Sequence, residues 1–174
     1  VVKSKNFECI KGDIRNIKIK KKFDAVISLF HVMSYQISNE SLKSAFKTAF
    51  QSLKSKGIFI FDAWYGPAVL HQKPLIKVKR ISVKSIEITR IAEPEIFLDK
   101  NTVNVKYTFY ELDKKTGLCN VSEENHLMRF FSIPEIEYIT NDGGFKIINI
   151  EELTTSKKTS LDNWCNCFIL KKIK

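Results

Sequence analysis

The chain has 174 residues, 44% hydrophobic and 28% charged, the ordinary composition of one globular domain or of a domain with a subdomain. Its longest apolar runs, near residues 25–30 and 58–61, fall far short of the roughly 20 residues that span a bilayer. No charged-then-apolar leader pattern is present either, so the chain reads as cytoplasmic with no membrane partner. Twenty-nine Lys and Arg against nineteen Asp and Glu leave a net charge of +10. The lysines cluster at residues 18–22, 77–84, 157–158 and 171–174 without a recognition helix or an aromatic ribonucleoprotein motif. That disfavours specific nucleic-acid binding and leaves anionic small molecules open.

In chain order, Phe7–Ile10 is expected as a short parallel strand ending at Gly12-Asp13. Phe23–Phe30 is a near-continuous apolar run, as in parallel sheets covered on both faces. Leu42, Ala45, Phe46, Ala49, Phe50 and Leu53 follow a helical stripe, which predicts a helix entered through Ser38/Asn39 and stopped at Gly57. Gly57–Asp62 is the next buried strand, and strand–helix–strand is the βαβ rhythm. Parallel sheets place ligand-contacting groups at the C-terminal ends of such strands.

From Pro74 to Phe131 the pattern changes to period two, with Val103, Val105, Tyr107 and Phe109 on one face. With the polar turn Asp113-Lys-Lys-Thr-Gly117, this predicts an inserted antiparallel sheet of about four strands. Ser132-Ile-Pro-Glu135 reads as a capping box opening a helix that ends at Asp142-Gly-Gly144. Closing strands follow at Phe145–Glu151 and Trp164–Lys171. The expected organisation is therefore an α/β core over 1–73, an antiparallel insert over 74–131, and the final helix and strands over 132–174. The four cysteines, Cys9, Cys119, Cys165 and Cys167, form no CxxC pair and read as reduced, small packing residues. Cys165-Asn-Cys167 puts two thiols on one strand face with no third or fourth ligand nearby in sequence, so no metal is expected.

The ordered series strand-Gly-Asp-Ile-Arg, strand-Phe-Asp-Ala-Val, helix, Gly-strand-Asp, antiparallel insert, Arg-Phe-Phe-Ser-x-Pro-Glu helix, Gly-Phe strand and final strand resembles class I S-adenosylmethionine-dependent methyltransferases. The segments Trp64-Tyr-Gly-Pro-Ala-Val-Leu70 and Glu124-Asn-His126 before Met128-Arg-Phe-Phe131 resemble the branch that includes amino-sugar N-methyltransferases. The resemblance implies a Rossmann-like sheet, S-adenosylmethionine as cofactor, and methyl transfer to a small polar acceptor such as an amino sugar or sugar nucleotide. It is also compatible with a homodimer. Carried over by position, Asp13 and Ile14 would meet the adenine, Phe30 and His31 the methionine half and sulfonium, and Trp64 and Tyr65 the acceptor.

Methyl transfer from a sulfonium is mostly alignment plus removal of a proton from the acceptor. A histidine is the economical base, with His126 first, His31 second and His71 third. The sequence departs from the family by carrying neither the glycine-rich turn nor the ribose-binding acid. It opens at Val1 with about ten residues before Asp13 and reads as the second half of such a domain. Losing two or three hydrogen bonds to charged groups, each worth roughly 1.5–3 kcal/mol, would weaken cofactor binding about a hundred-fold to a hundred-thousand-fold. The polypeptide as it stands is accordingly expected to be inactive. The second reading is a non-catalytic basic binding or interaction module of the same fold.

Overall fold

The computed structural model describes residues 3–4 and 6–173. Its centre is β4 (Leu53–Tyr65), a 13-residue strand whose two edges are used differently. One edge pairs antiparallel with β10 (Cys165–Lys172), from Lys171↔Ile58 to Cys165↔Trp64. The other edge is shared. Its first part pairs parallel with β3 (Phe23–Ser28), ending at Ser28↔Phe61, and its last two residues pair parallel with β8 (Cys119–Phe131), as Trp64↔Phe130 and Tyr65↔Phe131. β9 (Phe145–Glu152) pairs with the far side of β10. Asp62 and Ala63 fall between the two partners, and the chain leaves β3 there.

α1 (Asn39–Ser52) covers one face of this sheet. Ser38 caps it by accepting a hydrogen bond from Ser41 N–H at 3.1 Å. Its stripe buries Leu42, Ala45, Phe46 and Ala49. Phe46 packs edge-on against Phe59, Phe61 and Phe145 at ring separations of 5.5, 5.6 and 6.1 Å. The helix ends earlier than its sequence pattern suggests, at Ser52 rather than Gly57. Leu53 already begins β4, and a bulge follows, with Lys56 left-handed at φ 61°. Gly57 is needed inside the strand, because a Cβ there would meet Leu53 Cδ2 at 2.9 Å and Lys54 O at 3.0 Å.

The expectation of a parallel strand over 7–10 is corrected. β2 (Phe7–Glu8) pairs antiparallel with β1 (Lys3–Ser4) in a separate two-stranded ribbon. A strand takes its direction from its neighbour, and the neighbour here is the preceding segment.

α2 (Gly66–Gln72) leads from β4 into the antiparallel region. There β5 (Lys77–Val83), β6 (Ile86–Phe97), β7 (Thr102–Asp113) and β8 pair in sequence order, as the period-two pattern predicts. The hairpin after β7 closes with Gly117 N–H donating to Asp113 O at 2.7 Å. α3 (Ile133–Asp142) starts in the predicted capping box, with Glu135 N–H donating to Ser132 Oγ at 3.4 Å and Ser132 N–H to Glu135 Oε2 at 3.3 Å. Arg129 ties the elements together. Its guanidinium donates to Asn39 Oδ1 at 2.9 Å and Ile37 O at 3.3 Å, pairs with Glu135, and lies over the Phe131 ring.

Candidate functional site

Strand alternation sets the site. Phe59, Phe61 and Ala63 point into the helix-covered core, so Asp62 and Trp64 point to the opposite face. The register of β10 places Cys165 opposite Trp64 and Cys167 opposite Asp62, on that same face. Phe168, opposite Phe61, stacks on it from the core side at 5.0 Å.

After β3 the chain turns sharply. Phe30 and His31 are both left-handed, with φ of 63° and 62°, before a single 3-10 turn at Val32–Tyr35. Two such residues without glycine cost about 1–3 kcal/mol each and persist only where the surroundings over-determine them. Here the determinant is Asp62, whose carboxylate accepts the His31 backbone N–H at 3.0 and 3.2 Å. Trp64 N–H, lying in the break between β3 and β8, donates to Ser34 Oγ at 3.1 Å.

The same carboxylate holds the His31 ring, with Nδ1 at 2.8 Å from Asp62 Oδ2. Because the partner is an acceptor, Nδ1 carries the proton and Nε2 keeps its lone pair. Cys165 Sγ donates to Asp62 Oδ2 at 3.3 Å and lies 3.5 Å from His31 Nδ1. Asp62 has no exposed surface, while the His31 side chain is 32% exposed. Burial pushes the Asp62 carboxyl up. The hydrogen bonds from the His31 ring, the Cys165 thiol and the His31 backbone outweigh that and hold it below the usual carboxylate range. Burial first, then the Asp62 charge, drives the Cys165 thiol well above its ordinary value, so it stays protonated.

His31 and Cys165 open onto a cleft of about 660 Å³, within the range of small-molecule sites. Its walls include Trp64, Trp164 and Tyr107, with Lys73, Lys77 and Arg90 on the insert side. Trp64 meets His31 edge-on at 6.0 Å and Trp164 at 5.6 Å. Arg90 lies over the Tyr107 ring at 5.0 Å. Two buried donors in these walls, Arg90 Nε and Trp164 Nε1, have no partner among the described residues, which suits a ligand rich in acceptor oxygens.

The remaining predicted residues lie elsewhere. His126, on β8 opposite Val105, uses both ring nitrogens: Nδ1 is 2.6 Å from Tyr35 Oη and Nε2 is 3.1 Å from Glu124 Oε2. Tyr107 packs edge-on against it at 5.1 Å and also lines the cleft, so His126 stands behind that wall. Tyr65 is half-buried at the entry to α2, its N–H donating to Trp164 O at 2.6 Å. His71 sits in the last turn of α2. Asp13 is held by its neighbour Arg15, through N–H at 2.9 Å and Nη2 at 2.6 Å, which takes its carboxyl down to about 2. Gly12 and Ile14 line a second, mostly apolar hollow of about 480 Å³ with Leu29, Val32 and Met33, while Phe30 is 86% exposed. The structure thus brings His31 and Trp64 together in one cleft, places Gly12 and Ile14 along the hollow, and leaves Asp13 outside both linings. It adds Asp62 and Cys165 to the site. Among the described residues no helix is long and apolar enough to cross a membrane.

A mixed sheet carrying an antiparallel insert, with its cleft at the C-terminal ends of β3 and β4, is the fold of class I S-adenosylmethionine-dependent methyltransferases. The chain resembles a solved methyltransferase of this kind from Clostridium acetobutylicum, with a TM-score of 0.77 and 22% identity over 92% of this chain and 62% of that one. Within the class, the likeness runs to sugar-modifying enzymes. CalS10, an amino pentose methyltransferase from Micromonospora echinaspora solved with S-adenosylmethionine bound, matches with a TM-score of 0.71 and 15% identity over 92% of this chain and 63% of that one. A curated relative, dTDP-3-amino-3,4,6-trideoxy-alpha-D-glucopyranose N,N-dimethyltransferase from Streptomyces venezuelae, is 21% identical over 140 residues, 80% of this chain and 57% of that protein. The chain therefore spans somewhat more than half the length of these relatives. No family model matches the sequence.

Proposed function

We propose that the complete protein transfers a methyl group from S-adenosylmethionine to the amine of a small polar acceptor, an amino sugar carried on a nucleotide. The observation that carries this reading is the His31–Asp62 pair opening into an aromatic, cationic cleft at the strand ends of this fold. When bound, the cofactor supplies a methyl group already activated on a sulfonium, so the protein needs only to align the acceptor and take a proton from it.

The apolar hollow along Gly12, Ile14, Leu29 and Val32 suits the flat adenine. Asp13, outside that lining and paired with Arg15, would turn from Arg15 to accept the adenine amino group, and Phe30 and His31 lead from there toward the cleft. Trp64 and Tyr65 flank the acceptor side. His31 takes the proton on Nε2, and Asp62 holds the ring and offsets the charge that develops on it. His126, its ring held between the Tyr35 hydroxyl on Nδ1 and the Glu124 carboxylate on Nε2, acts at one remove through that hydroxyl. Lys73, Lys77 and the unpartnered Arg90 Nε suit the phosphates of the acceptor. The proposed partner is thus a small molecule, with a second copy of the protein compatible with the exposed face of β5.

The test is incubation of the complete protein with S-adenosylmethionine and a nucleoside-diphosphate amino sugar, read by mass spectrometry for added methyl groups. Methylation of the nucleotide sugar, weaker on the free amino sugar and lowered by Arg90→Ala, is the expected result. No binding of S-adenosylhomocysteine by calorimetry, together with no methylated product, would overturn the reading.

A further inference from the structure

His31 Nδ1, Asp62 Oδ2 and Cys165 Sγ form a triangle with edges of 2.8 Å for N–O, 3.3 Å for S–O and 3.5 Å for S–N. A tetrahedral zinc ion, with bonds of about 2.0 Å to nitrogen and oxygen and about 2.3 Å to sulfur, requires edges of roughly 3.3 Å for N–O and 3.5 Å for the two to sulfur. The two sulfur edges already agree to about 0.2 Å, and the third is short by about 0.5 Å because a proton lies on it. We propose that His31, Asp62 and Cys165 form a site for one zinc-type divalent cation, with its fourth position facing the cleft.

The donor set fits that ion in kind as well as in spacing, since imidazole, carboxylate and thiolate are the three ligand types zinc takes. Its charges also balance. Entry of the metal displaces the thiol proton to solvent and moves the ring proton from Nδ1 to Nε2. One carboxylate and one thiolate then offset the dication. This matters because Asp62 is fully buried and a net charge there would be costly. The site is rigid before any ion arrives. Asp62 and Cys165 stand on paired strands, and His31 is fixed by its left-handed backbone, with its N–H on the Asp62 carboxylate serving as the outer-shell support that orients metal ligands. Lys73, Lys77 and Arg90 across the cleft favour an anionic fourth ligand over a bare aquo ion. With metal on Nδ1 the proton sits on Nε2, so metal loading and the proposed base role of His31 exclude each other.

The proposal is tested on the metal alone, with no cofactor or acceptor present, so it stands or falls independently of methyl transfer. Cys9 and Cys119 are exposed and are first changed to Ser to remove their contribution. Equilibrium dialysis against zinc should give one equivalent per chain, and cobalt(II) should give the strong visible bands of a four-coordinate ion with a thiolate charge-transfer band. Outer-shell changes cost such sites roughly 10–100-fold in affinity, so loss of a direct ligand in Cys165→Ser or Asp62→Asn should cost on the order of 100-fold or more. Substoichiometric binding, a six-coordinate cobalt spectrum, or affinity unmoved by Cys165→Ser would overturn it. If Asp62→Asn does not fold, the zinc-edge X-ray absorption spectrum of the protein retaining Cys165 decides the matter. One sulfur neighbour among nitrogen and oxygen supports the site, and none refutes it.

Discussion

Asp62→Asn tests the proposed chemistry most directly. The substitution keeps the shape of a fully buried side chain while removing its charge and one of its two acceptor oxygens. In the native protein that carboxylate accepts from the His31 ring at 2.8 Å, from the His31 N–H at 3.0 and 3.2 Å, and from the Cys165 thiol at 3.3 Å. Asparagine can keep the backbone contact through its remaining oxygen, but its amide N–H then faces Nδ1 and selects the tautomer with the proton on Nε2. The lone pair that would receive the acceptor proton is lost. A hydrogen bond to a charged group is worth about 1.5–3 kcal/mol, which corresponds to a fall in kcat of about 10- to 150-fold. The assay is steady-state methylation of the acceptor at saturating S-adenosylmethionine, with the cofactor Kd measured separately by calorimetry. A Kd within about threefold of wild type, with kcat reduced by the stated factor, is the expected split. A variant that folds and keeps wild-type kcat would refute the role of the pair.

Iodoacetamide at pH 8 should label the exposed Cys9 and Cys119 and spare Cys165 and Cys167, whose thiols burial drives above their ordinary value and keeps protonated; peptide mapping by mass spectrometry reads the pattern. Arg129→Ala should lower stability by about 2–3 kcal/mol in urea unfolding, because it leaves Ile37 O and Asn39 at the start of α1 and the half-buried Glu135 in α3 without their shared cation. Gly144→Ala should cost about 1–2 kcal/mol in the same assay, since φ is +79° and the added Cβ would meet Phe50 Cε2 at 2.9 Å. Tyr35→Phe and His126→Ala should lower kcat by similar factors if the two act as one hydrogen-bonded unit; a large effect of His126→Ala with none from Tyr35→Phe would assign direct proton transfer to His126.

What could be read from the residues was what is determined locally. The α1 stripe, the Ser132–Glu135 capping box, the Asp113–Gly117 turn and the alternation of β7 each rest on neighbours within a few positions, and the structure reproduces them. The strand expected over Phe7–Ile10 forms at Phe7–Glu8, but its direction is not legible, because parallel or antiparallel pairing is a property of the partner, not of the strand. The helix end was misplaced because Gly57 signals a stop equally well as a bulge. The site was half legible. Alternation along β4 puts Asp62 and Trp64 on one face, but the register that brings Cys165 beside them spans 103 positions from Asp62. Nothing in the residue types of Phe30 or His31 announces a left-handed backbone, since glycine is the usual marker and neither is one.

The sharing of one edge of β4 between β3 and β8 has an evolutionary consequence. Among the described residues the backbone pairs that splice the four-stranded region onto β4 are Trp64↔Phe130 and Tyr65↔Phe131, with Arg129 and His126 bracing β8 from the side, whereas His31, Asp62 and Cys165 all lie outside that region. The walls carrying Lys77, Arg90 and Tyr107 can therefore be exchanged for another hairpin set without disturbing the histidine–carboxylate pair. On the proposed reading, acceptor choice sits on the hairpins and proton handling on the α/β sheet, so the two can change separately.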